Sequence, residues 1–505
     1  MSKLNSLFMS RPATLLAPLL VAATLLAVPA AGKALLAESR ASALWADWQE
    51  QFAATGQSFT TDSVVSTGDG LVIRGFATSM TITDVPGYEF RLTGHIDRIT
   101  LTEQDDGTIR VTPSDMYRIT GAGRGPEGVT TQITGDITHE GLDILVLDTG
   151  DGWRYDYAAD LRRLTAVSRG SPAEELLMVI EASDMAGQVL LTESGQGAPR
   201  FTGSSAFGGL TGMADLNAQT EELTMTFNVG PARVRSGGSG PGNPFLNLFL
   251  FHVPDVRDDA HLHDAGEITY ESLEYAVTIR EAGREAGQNA TTIRGANGGG
   301  RMALGLEGGA GAFDLSARDV AISVVAPEFP LPVTVTAESA GVLLTMPLTP
   351  ARGPSDGALR LEYQGVKMGA AAWDMFDPGR VLPRDPATLI LDVTGTVQGP
   401  ADDLRTLTLN DLEIAVAGAT LTGKGALDFA PGQQMPAGSI QLQATGLHTL
   451  LDRLTGAGLV PMEQAVGLRA MAGIFARPGT RPDTLETVLD FWHDGGVTVN
   501  GIPLP

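Results

Sequence analysis

Trp373–Gly399 reads WDMFDPGRVLPRDPATLILDVTGTVQG, the densest local code in the 505-residue chain. Pro378, Pro383 and Pro386 each fix φ and push the preceding residue away from the α region, so 377–386 reads as a stiff irregular loop. Ahead of it, an Ala-rich lead (369–372) with Trp373 and Phe376 three apart reads as a helical turn. Beyond it, Leu389, Leu391, Val393 and Val397 alternate with Asp392, Thr394 and Thr396, the period-two signature of a strand with one buried face. The expectation is a structural clamp. Trp373 and Phe376 should be at least half buried, and Asp377, Pro378, Pro383, Arg384, Asp385 and Pro386 should set the approach to the strand.

The same grammar extends in both directions. LVIRGFATSMTI, EFRLTGHIDRITL, IRVTPSDMYRITG, TTQITGDIT, LDILVLDT, WRYDYAADL, LLMVIEASDMAGQVLL and LTMTFNV alternate between Gly56 and Arg235. Their Asp-Gly breaks at Asp106-Gly107 and Asp151-Gly152 favour tight hairpins. A second strand-rich stretch, including ITYESLEYAVTIRE, AFDLSARDVAISVV and ALRLEYQGVKM, fills 267–369, and LRTLTLNDLEIAVAG, ATLTGKGALDFA and SIQLQAT follow the Trp373 loop. Helical spacing appears three times. Leu44, Trp45, Trp48 and Phe52 form one stripe over 38–54, Leu447, Leu450, Leu451 and Leu454 a second, and 462–475 a third. The fold class expected is mainly β: extended, curved antiparallel sheets, meander or sandwich-like, with an N-terminal helix and two short C-terminal helices. Four regions follow: 1–31 as signal or anchor, 32–235 as helix and first β-rich region, 236–265 as linker and apolar segment, and 266–505 as second β-rich region.

Trp373, Phe376-Asp377-Pro378-Gly379, Leu382-Pro383-Arg384-Asp385-Pro386 and the following LILDVTG resemble a bacterial domain-of-unknown-function family of exported, β-rich proteins. That family brings no assigned catalytic residues. The strand-rich tail is also similar, more distantly, to AsmA-like envelope proteins, a resemblance that implies a sheet lined with Val, Leu, Ile and Ala and a role in handling lipid.

Composition narrows the function classes. Lys plus Arg is 34 against 59 Asp plus Glu, a net charge of −25, which excludes phosphate-backbone binding and so nucleic acid. The absence of cysteine removes thiol chemistry, thiolate metal sites and disulfides. Lys3 and Arg11 precede an apolar run from Ala13 to Val28 that closes in small residues, the layout of a secretory signal with Val28-Pro29-Ala30 as cleavage triplet. The run also approaches the ~20 residues that span a bilayer, so two readings stay open: a periplasmic protein with a cleaved signal, and an inner-membrane anchor.

Three constellations gather residue types that can carry chemistry. His252, Asp255, Asp258, Asp259, His261, His263 and Asp264 gather the ligand types that suit zinc or manganese. They lack a ligand-spaced partner and read as a solvated acidic loop, so no metal or cofactor is assigned. Asp374, Asp377 and Asp385, held on a stiff loop, are the best pair-forming carboxylates for glycan hydrolysis. The blander reading is that they cap turns and pair with Arg380 or Arg384. Phe245, Leu248, Phe249 and Phe251, entered through SGGSGPG (236–242), form an apolar segment that either completes a core or meets lipid or protein. The functional expectation is a non-enzymatic envelope binding or structural factor that handles lipid, with envelope lipid or a membrane protein as partner. A carboxylate-dependent glycan hydrolase is the alternative. Neither a catalytic residue nor an oligomeric state is legible.

Overall fold

The computed structural model describes residues 39–54, 58–82, 89–125, 130–170, 174–192, 200–239, 263–283, 290–307, 310–347, 351–399, 404–430 and 435–504. The expected signal or anchor and the segment Phe245 to Phe251 lie outside them, as do the acidic-loop residues except His263 and Asp264. Two compact units are present, the first ending at Thr292 and the second running from Ile293 to Pro505.

The first unit opens with α1 (Arg40–Ala54), followed by β1 (Ser58–Thr60), β2 (Ser63–Thr67), β3 (Gly70–Ile82), β4 (Glu89–Glu103), β5 (Ile109–Pro113), β6 (Met116–Arg124), β7 (Thr130–Glu140) and β8 (Asp143–Asp148). It continues through β9 (Gly152–Gly170), β10 (Glu174–Thr192), β11 (Arg200–Phe207), β12 (Gly209–Asn217), β13 (Glu221–Val229), β14 (Ala232–Ser239), β15 (His263–Tyr270) and β16 (Leu273–Glu281). At 19 residues each, β9 and β10 far exceed the usual ~5–6. Each long strand pairs along one edge with two short strands laid end to end: β3 with β1 and β2, β4 with β5 and β6, β9 with β7 and β8, and β10 with β11 and β12.

A crease crosses each long strand where its two short neighbours meet. In β4, Phe90, Leu92 and Ile96 face the core before it, and Ile99 and Leu101 after it; in β9 the core face passes from Trp153 and Tyr155 to Leu164 and Ala166. Side chains alternate with period two, so such a change of parity keeps one face apolar on both arms while the strand bends. Left-handed residues make the bend, Gly75 (φ 60°) in β3 and Asp184 (φ 48°) in β10, and glycine and aspartate tolerate that region best. Backbone bonds keep the crease closed: Ser114 N–H donates to Arg98 C=O (2.8 Å) and Gly208 N–H to Ser183 C=O (2.9 Å).

Helix α1 lies on this apolar face. Ala41, Leu44 and Trp45 are buried, the Trp45 ring meets Phe59 and Phe76 edge-on (5.8 and 6.0 Å), and Trp48 Nε1–H donates to Tyr155 Oη (3.0 Å). Burial of each large side chain stabilises by about 1.5–3 kcal/mol. Glu103 on β4 accepts the Ala41 N–H (2.9 Å), satisfying one free donor at the helix N-terminus. The stripe read from the sequence is therefore a packing stripe.

The second unit comprises β17 (Thr291–Asn297), which starts at the unit boundary, then β18 (Gly300–Glu307), β19 (Ala310–Val325), β20 (Val333–Pro347), β21 (Ala351–Met368), α2 (Ala370–Phe376), β22 (Ala387–Gly399), β23 (Leu404–Val416), β24 (Ala419–Phe429) and β25 (Pro436–Thr445). Helices α3 (Leu447–Gly456) and α4 (Met462–Phe475) precede β26 (Arg477–Pro478), β27 (Thr484–Phe491), β28 (Val497–Val499) and β29 (Ile502–Pro503). From β18 to β25 each strand pairs antiparallel with the next, and β27 and β28 extend the row. The crease recurs here, at Asp319 (φ 53°) in β19 and Gly365 (φ 64°) in β21.

The mainly β class, the antiparallel pairing, the N-terminal helix and the two C-terminal helices agree with the sequence reading, and α2 is a third short helix in the C-terminal part. Two local expectations change. Ser236 to Ser239, read as the start of a linker, is strand: β14 pairs with both β11 and β15, because glycine and serine fit a ladder flanked on both edges. ITYESLEYAVTIRE is two strands, β15 and β16, turned at Glu271-Ser272 and placed in the first unit.

Candidate functional site: an apolar sheet face

The Trp373 loop is a clamp, built differently from the expectation. Gly369 N–H ties the start of α2 to Thr334 C=O on β20 (2.8 Å). Asp377 is 1% exposed, and its two carboxylate oxygens accept the N–H groups of Val381 (2.9 Å) and Leu382 (2.8 Å). Burial works to raise its pKa, but the Leu382 and Val381 bonds and the Arg384 charge outweigh it and hold the carboxyl below its usual range. Arg384 donates to Asp374 Oδ1 (2.7 Å) and to the Asp377 carbonyl (3.2 Å), and its guanidinium stands 5.8 Å from the Trp373 ring centre. The Arg384 hydrogen bond, helped by Arg380 at 3.6 Å, lowers the Asp374 pKa. These carboxylates hold a loop and pair with arginines; they do not converge on a solvent-facing cleft. Asp385 is exposed, as are Pro378 and Pro386, while Pro383 is half-buried against the β23–β24 turn. There Pro383 Cγ and Arg453 Nη1 stand 3.4 and 3.0 Å from where a Cβ on Gly418 (φ 82°) would be. Phe376 departs from expectation: Trp373 is largely covered, but Phe376, the last residue of α2, is 53% exposed.

What the strand register assembles is an apolar surface. Phe313 on β19 pairs with Leu344, and the row continues strand by strand through Leu359, Val393 and Leu409, then Gly425, Ile440 and Leu489. A second row on the same face runs Leu315, Val342, Leu361, Leu391 and Leu412. A third runs Ala317, Ala340, Tyr363, Leu389 and Ile414. The opposite face is polar, with Arg360 paired to Asp392 (3.0 Å), Asn410 Nδ2 donating to Asp392 (3.0 Å) and Gln443 Nε2 donating to Glu486 (3.1 Å). No residue of these apolar rows is buried, and Leu315, Tyr363 and Ile414 are exposed.

The first unit has an apolar sheet face of its own, filled at one end. In the row Ala166, Met178, Ala214, Met225, Val277, Met178 is 5% exposed near α1 and Met225 is 38% exposed beyond it. Helix α1 supplies the second layer for the early strands only. The C-terminal α4 is apolar on all sides apart from Glu463, Gln464 and Arg469, yet only Ala465 is buried, and Met462, Val466, Leu468, Met471 and Ile474 are exposed. Among the described residues, no helix is long and apolar enough to cross a membrane, and no three His, Asp or Glu residues group as metal ligands.

A bacterial family described as "Uncharacterized protein conserved in bacteria (DUF2125)" matches residues 251–505, half of the chain. The chain belongs to this family. No curated protein matches it. The DUF2125 match takes in the Trp373 clamp, the three apolar rows that start on β19, and α4. Of the residues foreseen from the sequence, the Trp373 loop is structural as expected and Phe245, Leu248, Phe249 and Phe251 lie outside the described residues; a sheet lined with Val, Leu, Ile and Ala was expected, but its individual residues were not named. Its signal was present as Leu, Val and Ile at alternate positions, but alternation is the same for a closed core, and only the strand register and exposure separate the two. A cleft beside β7 and β9 is lined by Asp115, Met116, Thr138, His139, Glu140, Leu161 and Arg163, with the His139 ring bonded to the Ser114 carbonyl (3.2 Å).

Proposed function

We propose that this protein binds the acyl chains of lipid along the apolar face of its creased sheets and acts in the bacterial envelope as a non-enzymatic lipid-handling factor. The observation that carries the reading is an apolar row across the eight strands β19 to β25 and β27, flanked by two rows across β19 to β23, with no covering layer among the described residues. Eight strands make seven steps of about 4.8 Å, a track on the order of 34 Å, against ~15 Å for the hydrocarbon of one leaflet. A full acyl chain fits on it, each methylene removed from water contributing about 0.8 kcal/mol. No polar group need be placed for such binding, which agrees with a site that carries no catalytic constellation. The secretory layout of residues 1–31 supports an envelope location, and the similarity of the strand-rich tail to AsmA-like proteins points the same way. Exposed α4 suits contact with the donor bilayer. Around it, residues 447–481 carry four arginines against two acids in a chain of net charge −25, a local balance that fits an anionic lipid surface.

The test is native mass spectrometry of protein purified from its own host. Wild type should carry lipid. Val393→Asp and Leu391→Asp should lose it while keeping the β circular-dichroism signal, since both side chains sit on a face that is not buried. Lipid-free wild type, together with unfolding of both variants, would identify the face as an ordinary core and defeat the reading.

A further inference from the structure

Phe329 and Leu331 stand in the open on the connection between β19 and β20, 45% and 48% exposed. The sequence there is Ala326-Pro327-Glu328-Phe329-Pro330-Leu331-Pro332. Ala326 is buried and its carbonyl accepts the Phe329 N–H (3.0 Å), which closes a turn with Pro327 at its second position. Pro330 and Pro332 fix their own φ and keep Phe329 and Leu331 out of the α region, so the loop is stiff and both apolar side chains are held in water.

Strand register places this loop beside the other exposed apolar groups of the second unit. Val324 pairs with Val333, Val335 with Met368, Val366 with Ala387, Val416 with Ala419 and Thr420 with Thr445. The β19–β20 loop, α2 with its clamp, the β23–β24 turn and the pair α3–α4 therefore share one end of the sheet. Met375, Phe376 and Val381 are exposed there at α2, as are Met462, Met471 and Ile474 on α4. Ile322 and Val335, register partners that are also exposed, lead along β19 and β20 from the apolar rows toward the loop. Charge separates the two ends of these strands. The connections 326–332, 369–386, 417–418 and 446–483 hold six arginines against seven acids in a chain of net charge −25. Two of those acids, Asp377 and Asp483, are held by backbone N–H groups, while Arg380, Arg477 and Arg481 are exposed. The opposite end exposes Asp356, Asp428 and Asp494.

We propose that this end of the second unit docks on an anionic lipid bilayer, with Phe329 and Leu331 as an insertion loop that acts together with α4. A bilayer fits because the apolar groups sit on three separate elements, each able to enter the interfacial region, and because exposed arginines accompany them at this end. The docking stands on these residues; its purpose rests on the lipid-binding reading, since strands set on the membrane by this end open the apolar rows to an acyl chain leaving the leaflet.

The experiment uses the full chain and vesicles of equal parts phosphatidylglycerol and phosphatidylcholine. Phe329→Ser combined with Leu331→Ser should lower the vesicle partition coefficient about tenfold or more, the scale of withdrawing two large apolar side chains from lipid. The melting temperature without vesicles should stay unchanged, because both side chains are exposed. The chain has no cysteine, so a fluorophore on Leu331→Cys reports the loop alone; it should shift to the blue with vesicles and be quenched by nitroxide-labelled lipid. One on Met435→Cys, at the opposite end and exposed, should do neither. A partition coefficient that the double variant leaves unchanged, or equal responses from the two labels, overturns the insertion loop. A lower melting temperature of the double variant makes the pair core residues and overturns it as well. A Leu331 label shielded without vesicles, in a chain that sediments as a dimer, overturns it in favour of a contact between copies. The lipid-binding reading fails separately. Wild type that docks through Leu331 yet carries no co-purified lipid removes that reading and leaves the docking end; wild type that carries lipid while the Leu331 label stays in water does the reverse.

Discussion

At the scale of single residues, three carboxylates hold backbone, and Asp377 is one of the trio that looked most like chemistry in the sequence. Asp377 closes the loop after α2, Glu103 takes the first free N–H of α1, and Asp483 accepts the His448 and Thr449 N–H groups (3.1 and 3.0 Å) at the start of α3. In each, burial raises the pKa, while accepted hydrogen bonds lower it by more, and the net position is below the ordinary 3.8 for Asp or 4.5 for Glu. A carboxyl whose folded pKa is depressed stabilises the fold above its unfolded pKa and loses that contribution as pH falls through the folded value. Thermal melts should therefore be insensitive to these groups above pH 4.5 and should fall steeply below pH 3.8. Asp483→Asn and Asp377→Asn should flatten that acid limb; an unchanged limb in both would show that the carboxylates are not what acid unfolds. Trp45 tests the other kind of residue. It is buried among Phe59, Phe76 and Trp48, so Trp45→Ala should cost about 3–5 kcal/mol in urea unfolding of the first unit.

Among the elements, long strands and both C-terminal helices were legible because their patterns are strong. Met462 to Phe475 and the Leu447 stripe appear with the expected spans, and LLMVIEASDMAGQVLL lies inside one strand. Illegible were β11 and β12, where FTGSSAF and GLTGMADLN have too few large apolar side chains to show a period, and the crease, which inverts the period within a strand. That inversion is why PVTVTAES and GVLLTMPL read as two strands although β20 is continuous. Gly365 isolates the crease for measurement. With φ at 64° and the Glu338 side chain 2.4 Å from where a Cβ would stand, Gly365→Ala must strain the backbone and displace Glu338. A loss of about 1–2 kcal/mol is expected from the left-handed conformation. Asn at the same position, which tolerates that region better, should recover part of it; equal losses for Ala and Asn would mean that crowding, not backbone conformation, sets the crease.

On the scale of the whole molecule, each unit has its own apolar sheet face and covers it to a different extent. The early strands bury it under α1, as any core does, while the strands of the second unit leave the same kind of face open, an arrangement that burial at ~25 cal/mol per Å² disfavours unless a ligand completes it. The clamp at Trp373 ties α2 to β20, and Asp483 caps the start of α3. Helix α4 is where this partition meets the outside. Its exposed Val466, Met471 and Ile474 have no cover among the described residues, and Arg477 and Arg481, just beyond its C-terminus, are exposed. The chain has no cysteine, so Ile474→Cys, at a position 59% exposed, gives a single labelling site that leaves the fold intact. An environment-sensitive fluorophore there should brighten and shift to the blue on mixing with phosphatidylglycerol–phosphatidylcholine vesicles, and nitroxide-labelled lipid should quench it. Replacing Arg477 and Arg481 with Ala should weaken the partition by about fivefold for each arginine, ~1 kcal/mol near an anionic surface. A label that is already shielded without vesicles, in a chain that sediments as a dimer, would assign α4 to a contact between copies instead. An equal response to pure phosphatidylcholine would remove the part of the argument that rests on charge.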